Sequence, residues 1–187
     1  MLFYVKRSLT LELTVTFLLA GLGLWQIFSY QLPLVINLDL RQIVIGLGGS
    51  IFLGAWTLLV QYGYRLAKGA EYSHHLTGSL AKEYACASPV QILLGGVTAA
   101  CGEEIFFRGF LQQRFGLILA SVAFMAAHWG KKDIRVVSFW SVFQGVWLGL
   151  FFWYSRNLAV PMIAHGLFDI GGMIYFRGFM ARLVPST

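Results

Sequence analysis

Apolar residues run along this chain in long unbroken blocks, not at the spacing of an amphipathic surface helix. Six blocks stand out, at residues 11–29, 42–64, 90–115, 117–134, 136–154 and 158–176. An apolar run of about 20 residues crosses a bilayer as an α-helix. The pattern therefore predicts an all-α, polytopic transmembrane helix bundle of about six spans. The longest polar stretch lies between the second and third blocks, at residues 65–89, and carries Lys68, Glu71, His74, His75, Lys82 and Glu83. It reads as a loop. Lys6 and Arg7 precede the first block in the manner of a signal peptide, but no small-residue cleavage site follows, so the block reads as a retained anchor. No internal repeat interrupts the series, and residues 1–187 read as a single integral membrane domain.

Composition supports the pattern. Hydrophobic residues make up 58% of the 187 positions, charged residues 12%, and the mean hydropathy is +0.70. A soluble domain carries about a quarter charged residues. The two cysteines, Cys86 and Cys101, supply neither a disulfide framework nor a CxxC metal pattern. The net charge of +6 is not a nucleic-acid signal in such a chain, because the sidedness of the cations matters more than their sum. With the N-terminus inside, ten cations fall on the inner side: Lys6, Arg7, Arg65, Lys68, Lys82, Lys131, Lys132, Arg135, Arg177 and Arg182. Four fall outside or within the membrane: Arg41, Arg108, Arg114 and Arg156. The bias predicts that both termini are cytoplasmic, which six spans allow.

The third block contains an anomaly, CGEEIFFRGF at residues 101–110, with Glu103, Glu104 and Arg108 in otherwise apolar sequence. Gln112–Gln113–Arg114 followed by Gly116 has the look of a hairpin apex. Glu103 lies 13 residues before Gly116 and His128 lies 12 after it. At about 1.5 Å per residue both sit roughly 18–20 Å below the apex. A second turn near Ser155–Arg156–Asn157 places His165 and Asp169 about 12 and 18 Å deep on the last helix. Three helices thus bring carboxylates, imidazoles and a guanidinium to one depth. Glu104 and Arg108 are spaced i, i+4 and share a face, as do His165 and Asp169. Glu103 points about 100° from Glu104, so one glutamate can pair with Arg108 while its neighbour faces a cavity.

A lone Glu–Arg pair inside a membrane serves as helix glue as readily as chemistry. The further histidines and aspartate at the same depth make the set a functional site, since each such group is costly to bury. Other features read as structure. Cys101 reads as a small packing residue, and His74 and His75 as a solvated loop pair. Gly95–Gly96 and Gly171–Gly172 read as points of close helix approach. Gln144 reaches the depth of the charged set and either lines the cavity or bonds between helices.

EExxxR at Glu103–Arg108, FxxxH at Phe124–His128 and HxxxN/D at His165–Asp169 resemble, in order and spacing, the three motifs of the CPBP intramembrane proteases. These include the CAAX-processing enzymes and the bacterial Abi relatives. The resemblance covers residues 88–176, and it departs at Asp169, where many relatives carry Asn. It implies a transmembrane bundle with a polar intramembrane cavity, and endoproteolysis near the end of a membrane-associated protein or peptide substrate. It implies catalytic roles for Glu103 and His128 in activating water, for His165 and Asp169 in holding the oxyanion or the water, and for Glu104 and Arg108 in shaping the site. The short chain suggests a compact prokaryotic member in the inner membrane, with the lipid bilayer and a membrane-anchored substrate as partners and no nucleic acid. No HExxH or GxSxG signature competes.

Two mechanisms fit the residues. Glu103 and His128 can polarise water without a cofactor, or Glu103, His128 and His165 can hold zinc, which takes three protein ligands plus water. The metal-free mechanism is preferred, because no HExxH-like pair sets two ligands on one turn and Arg108 beside the carboxylates opposes a dication. Two other classes remain: an ion-coupled transporter, which the missing inverted repeat disfavours, and a non-catalytic immunity or scaffold protein on the same core, which the intact Glu103, Glu104, His128 and His165 disfavour. The charge count itself makes a prediction. Reporter fusions at Lys6 and after Arg182 should both read cytoplasmic, and an external reading at either end defeats the six-span topology.

Overall fold

The chain folds as an all-α bundle, seen in a computed structural model that describes residues 2–129 and 135–183. The helices are α1 (Leu2–Ser29), α2 (Leu40–Lys68), α3 (Ala70–Tyr84), α4 (Pro89–Glu104), a π-helical segment π1 (Ile105–Gln112), α5 (Gln113–Phe115), α6 (Leu117–Ala127), α7 (Arg135–Ser155) and α8 (Ala159–Leu183). Three are long and apolar enough to cross a membrane: Leu40–Lys68, the continuous run Pro89–Phe115, and Ala159–Ala181. Leu13–Ser29 and Leu117–Ala127 are apolar but shorter. The six expected blocks are mainly helical where described, although the helix of the fourth block ends at Ala127, and among the described residues three meet that standard by length and composition.

Local chemistry sets the boundaries. Asp39 caps α2, its carboxylate accepting from the Gln42 amide at 2.9 Å. Ser88 and Gln91 cap α4 reciprocally, with Pro89 in the first turn, where a missing amide costs nothing. The π1–α6 hairpin turns at Gly116, whose φ of +88° suits a residue without a Cβ. The polar stretch expected as a loop is largely helix α3, which packs on α2 and α8.

α8 lies at the centre, against α2, α4, α3 and α7. α2 and α8 run parallel, since Val35, just before α2, accepts a backbone bond from Leu158, just before α8. At the same end the Asn157 side chain accepts from the Asn37 amide at 3.0 Å and donates to the Asn37 carbonyl at 2.7 Å. Gln113 donates to Pro33 there, which puts the Gly116 turn at that end too. Arg65, Lys68, Lys82 and Arg177 therefore lie toward the opposite end. Lys131 and Lys132 fall outside the described residues. Leu53, Phe107, Phe124, Leu148 and Ala164 form the apolar core beneath the charged set.

Close helix approach depends on glycine. A Cβ on Gly145 of α7 would sit 3.1 Å from Ser121 Cα of α6. One on Gly149, a turn later, would strike the side chains of Leu117 and Gln112. Gly96 approaches Ile170 and the Gly166 carbonyl of α8, as expected of Gly95–Gly96. Gly171 and Gly172 face open space, contrary to expectation. Gly145→Val should therefore push α7 off α6 and cost about 1–3 kcal/mol, whereas Gly171→Ala should change stability by less than about 0.5 kcal/mol. Thermal melts in detergent, compared between the two variants, check this; equal losses would show that Gly145 is not a packing contact.

Candidate active site

Glu104 and Arg108 occupy the end of α4 and the middle of π1. The π winding starts directly after Glu104, and such segments are frequent at functional sites. Arg108 Nη1 donates to Glu104 Oε1 at 2.9 Å, and the two side chains are 1% and 0% exposed. Arg108 Nη2 donates to the Gly145 carbonyl of α7 at 3.1 Å. The guanidinium carbon lies 4.6 Å from the centre of the Phe124 ring of α6. One turn further along π1, Gln112 Nε2 donates to the Gly149 carbonyl at 2.8 Å. Two side chains four residues apart on π1 thus hold two carbonyls four residues apart on α7.

From α8, His165 meets the same carboxylate. Its Nδ1 is 2.8 Å from Glu104 Oε1, and its Nε2 is 3.3 Å from Asp169 Oδ2. His165 is 2% exposed and Asp169 25%. Each ring nitrogen already faces a carboxylate, the second more loosely than the first. The two i, i+4 pairs are those the spacing predicts. The Glu104–His165 contact, which joins them across 61 residues, has no such signature.

Glu103 and His128 form an outer layer. α6 stops at Ala127, so His128 sits in the helix cap, 38% exposed, and not midway along the helix expected to reach residue 134. Its Nδ1 lies 2.8 Å from the Phe124 carbonyl. A carbonyl only accepts, so Nδ1 carries the hydrogen, and in the neutral ring Nε2 is the acceptor. Nε2 faces Glu103 Oε2 at 3.7 Å, too far for a hydrogen bond. Glu103 is 16% exposed, and its Oε2 is buried without a hydrogen-bond partner.

All six residues singled out by the sequence therefore converge, in two layers. Glu104, Arg108 and His165 are sealed inside; Glu103, His128 and Asp169 line an accessible edge. At that edge the Glu103, His128 and Asp169 side chains are only partly exposed. A cavity of about 440 Å³ lies elsewhere on the α4–α8 seam, walled by Pro89, Ile92, Ile170 and Ile174, among others. Cys101 is exposed on the outer surface, not packed as expected. His74 and His75 are exposed on α3, with the His74 ring 5.1 Å from Phe179. Gln144 is half-buried, but the group from that turn that reaches the ion pair is the Gly145 carbonyl. The carbonyls of Gly145 and Gly149 are not among the residues that the sequence singles out; the small-xxx-small spacing of those glycines is the available signal.

In the zinc-dependent alternative the ligands would be Glu103, His128 and His165. The donor set does not fit, since His165 has both nitrogens committed to carboxylates. Among the described residues, no group of three His, Cys, Asp or Glu side chains is arranged to hold a metal ion.

Residues 85–171 match the family model described as type II CAAX prenyl endopeptidase Rce1-like. A 75-residue stretch is 41% identical to the uncharacterized protein YpbD of Bacillus subtilis, covering 37% of this chain and 37% of that relative's length. No solved structure matches. The matched region contains the two glutamates, Arg108, both histidines and Asp169, as the motif resemblance required. The part of the chain that carries the three motifs is thus similar to the Rce1-like type II CAAX prenyl endopeptidases.

Proposed function

We propose that this protein is an intramembrane endopeptidase that hydrolyses a peptide bond near the C-terminus of a membrane-anchored protein or peptide. The observation that carries the reading is the approach of His128 Nε2 to the unpartnered carboxylate oxygen of Glu103. Glu103 Oε2 has no partner, and His128 Nε2 points at it from 3.7 Å. A water lodged against both can donate one hydrogen to each. Glu103 takes a proton as the water oxygen bonds to the scissile carbonyl carbon. The C–N bond then breaks as that proton is returned to the leaving amine, with His128 steering the transfer. General acid–base catalysis of this kind contributes about 10²–10⁴-fold.

His165 is the proposed oxyanion donor. Glu104 grips its Nδ1 at 2.8 Å, whereas the partly exposed Asp169 holds Nε2 at 3.3 Å. A small rotation of Asp169 frees the Nε2–H for the developing negative charge. A donor aimed in advance at such a charge stabilises the transition state of acyl transfer more than most other single interactions do. Glu104 and Arg108 touch neither water nor substrate in this scheme; they fix His165. The family description, with its prenyl endopeptidase activity, supports a substrate held in the bilayer by an apolar anchor. We propose no resident metal, because among the described residues no three His, Cys, Asp or Glu side chains are arranged to hold one, and Arg108 lies beside the carboxylates.

Two outcomes follow. Glu103→Gln and His128→Ala should each lower cleavage of a co-expressed membrane substrate by at least about a hundredfold while leaving insertion and thermal melting intact; near-normal cleavage by either refutes the assignment. Purified enzyme stripped with a strong chelator should keep full activity. Loss on stripping, restored by stoichiometric zinc, would convert the same residues into ligands.

A further inference from the structure

Phe124 contributes no titratable group, yet the site's charged and proton-carrying side chains gather around it. Its ring is fully buried. The Arg108 guanidinium carbon lies over it at 4.6 Å from the centroid. The His128 imidazole lies tilted against it, with centroids 4.3 Å apart and planes at 31°. His165 approaches more nearly edge-on, at 5.8 Å and 64°. Phe107 packs against it at 5.1 Å as an apolar backstop. In addition, the Phe124 carbonyl fixes Nδ1 of His128. A residue that merely filled the core, as the equally buried Leu148 of the same cluster does, would need none of these orientations.

We propose that Phe124 is a positioning residue whose π face couples the buried Arg108 to the exposed His128. The ring face is electron-rich, and a guanidinium shielded from water gains most from such a contact. With Arg108 anchored by Glu104 and the Gly145 carbonyl, the ring is held in one rotation. The ring then sets the plane of the His128 imidazole, while the backbone carbonyl of the same residue sets its tautomer. The acceptor nitrogen of His128 is thereby aimed at Glu103 by one residue acting in two ways. The catalytic consequence rests on the hydrolytic reading of Glu103 and His128; the Arg108–ring contact does not.

The test replaces Phe124 with phenylalanines carrying one, two and three ring fluorines, which drain the π face with little change in shape. Thermal melting in detergent is measured for the series in the native protein and in a charge-free background, Glu104→Gln with Arg108→Met. Melting temperature should fall with each fluorine in the native protein and stay level in the background. Turnover should fall in parallel, roughly tenfold at three fluorines, with KM unchanged. If the background does not fold, the native series decides alone, through the split between turnover and KM. A level turnover series in an active enzyme overturns the proposal and leaves Phe124 as core packing; a level melting series in the native protein overturns the coupling to Arg108. Absence of cleavage by the unmodified enzyme is a different result, since it defeats the hydrolytic reading and, with it, the catalytic half of the proposal.

Discussion

The Glu104–Arg108 ion pair governs the architecture, because neither charge reaches solvent. A buried pair of this kind carries a desolvation cost that its mutual attraction offsets only with good geometry and further hydrogen bonds, and losing one partner costs about 3–5 kcal/mol. The compensation here comes from several helical elements. α4 and π1 supply the pair, α7 offers the Gly145 carbonyl, α6 offers the Phe124 ring, and α8 offers His165. Each must be within contact distance at once. The missing Cβ atoms at Gly145, Gly149 and Gly96 are the local means of that approach. Packing and electrostatics are thus one constraint: the helices close because glycine permits it, and they must close because the charges have nowhere else to go.

The π winding of residues 105–112 resolves a difficulty posed by two consecutive glutamates. Glu104 has to face inward to α8, while Glu103 has to face the open edge, and neighbouring residues on a helix diverge enough to allow this. The widened turn after Glu104 brings both Arg108 and Gln112 against the α7 carbonyls. The result is an inner layer that is rigid and dry, and an outer layer with accessible groups. The proposed hydrolysis would use that division, with the outer groups exposed and the inner ones holding them in place.

The helical blocks, the convergence of three motifs on one depth and both i, i+4 pairs are legible in the sequence, because hydropathy and helical periodicity are properties of side chains read in order. What is not legible depends on backbone or on partners distant in sequence. Backbone carbonyls have no sequence signature, so the Gly145 and Gly149 acceptors are invisible there. The cap position of His128 follows from α6 ending at Ala127, which an apolar run continuing to residue 129 conceals. Gly96 and Gly171 look alike in sequence, yet only the first meets a neighbouring helix. The polar residues of α3 suggest a loop, but a polar helix still forms where Ala, Leu and Glu supply propensity and two apolar helices offer a surface.

Access to the site follows from which end of the bundle is closed. At the Gly116 end, Asn157 and Asn37 bond to each other twice, Gln113 reaches the Pro33 carbonyl, and the Arg114 guanidinium lies 5.1 Å over Tyr30. The connection between α1 and α2 is tied down by these contacts. At the other end, α6 stops about two turns short of a full span, because it has only 11 residues where a crossing needs about 20. That shortfall leaves His128 exposed and Glu103 beside it. The inner layer stays closed beside it, so the length of one helix decides how far the outer layer is exposed.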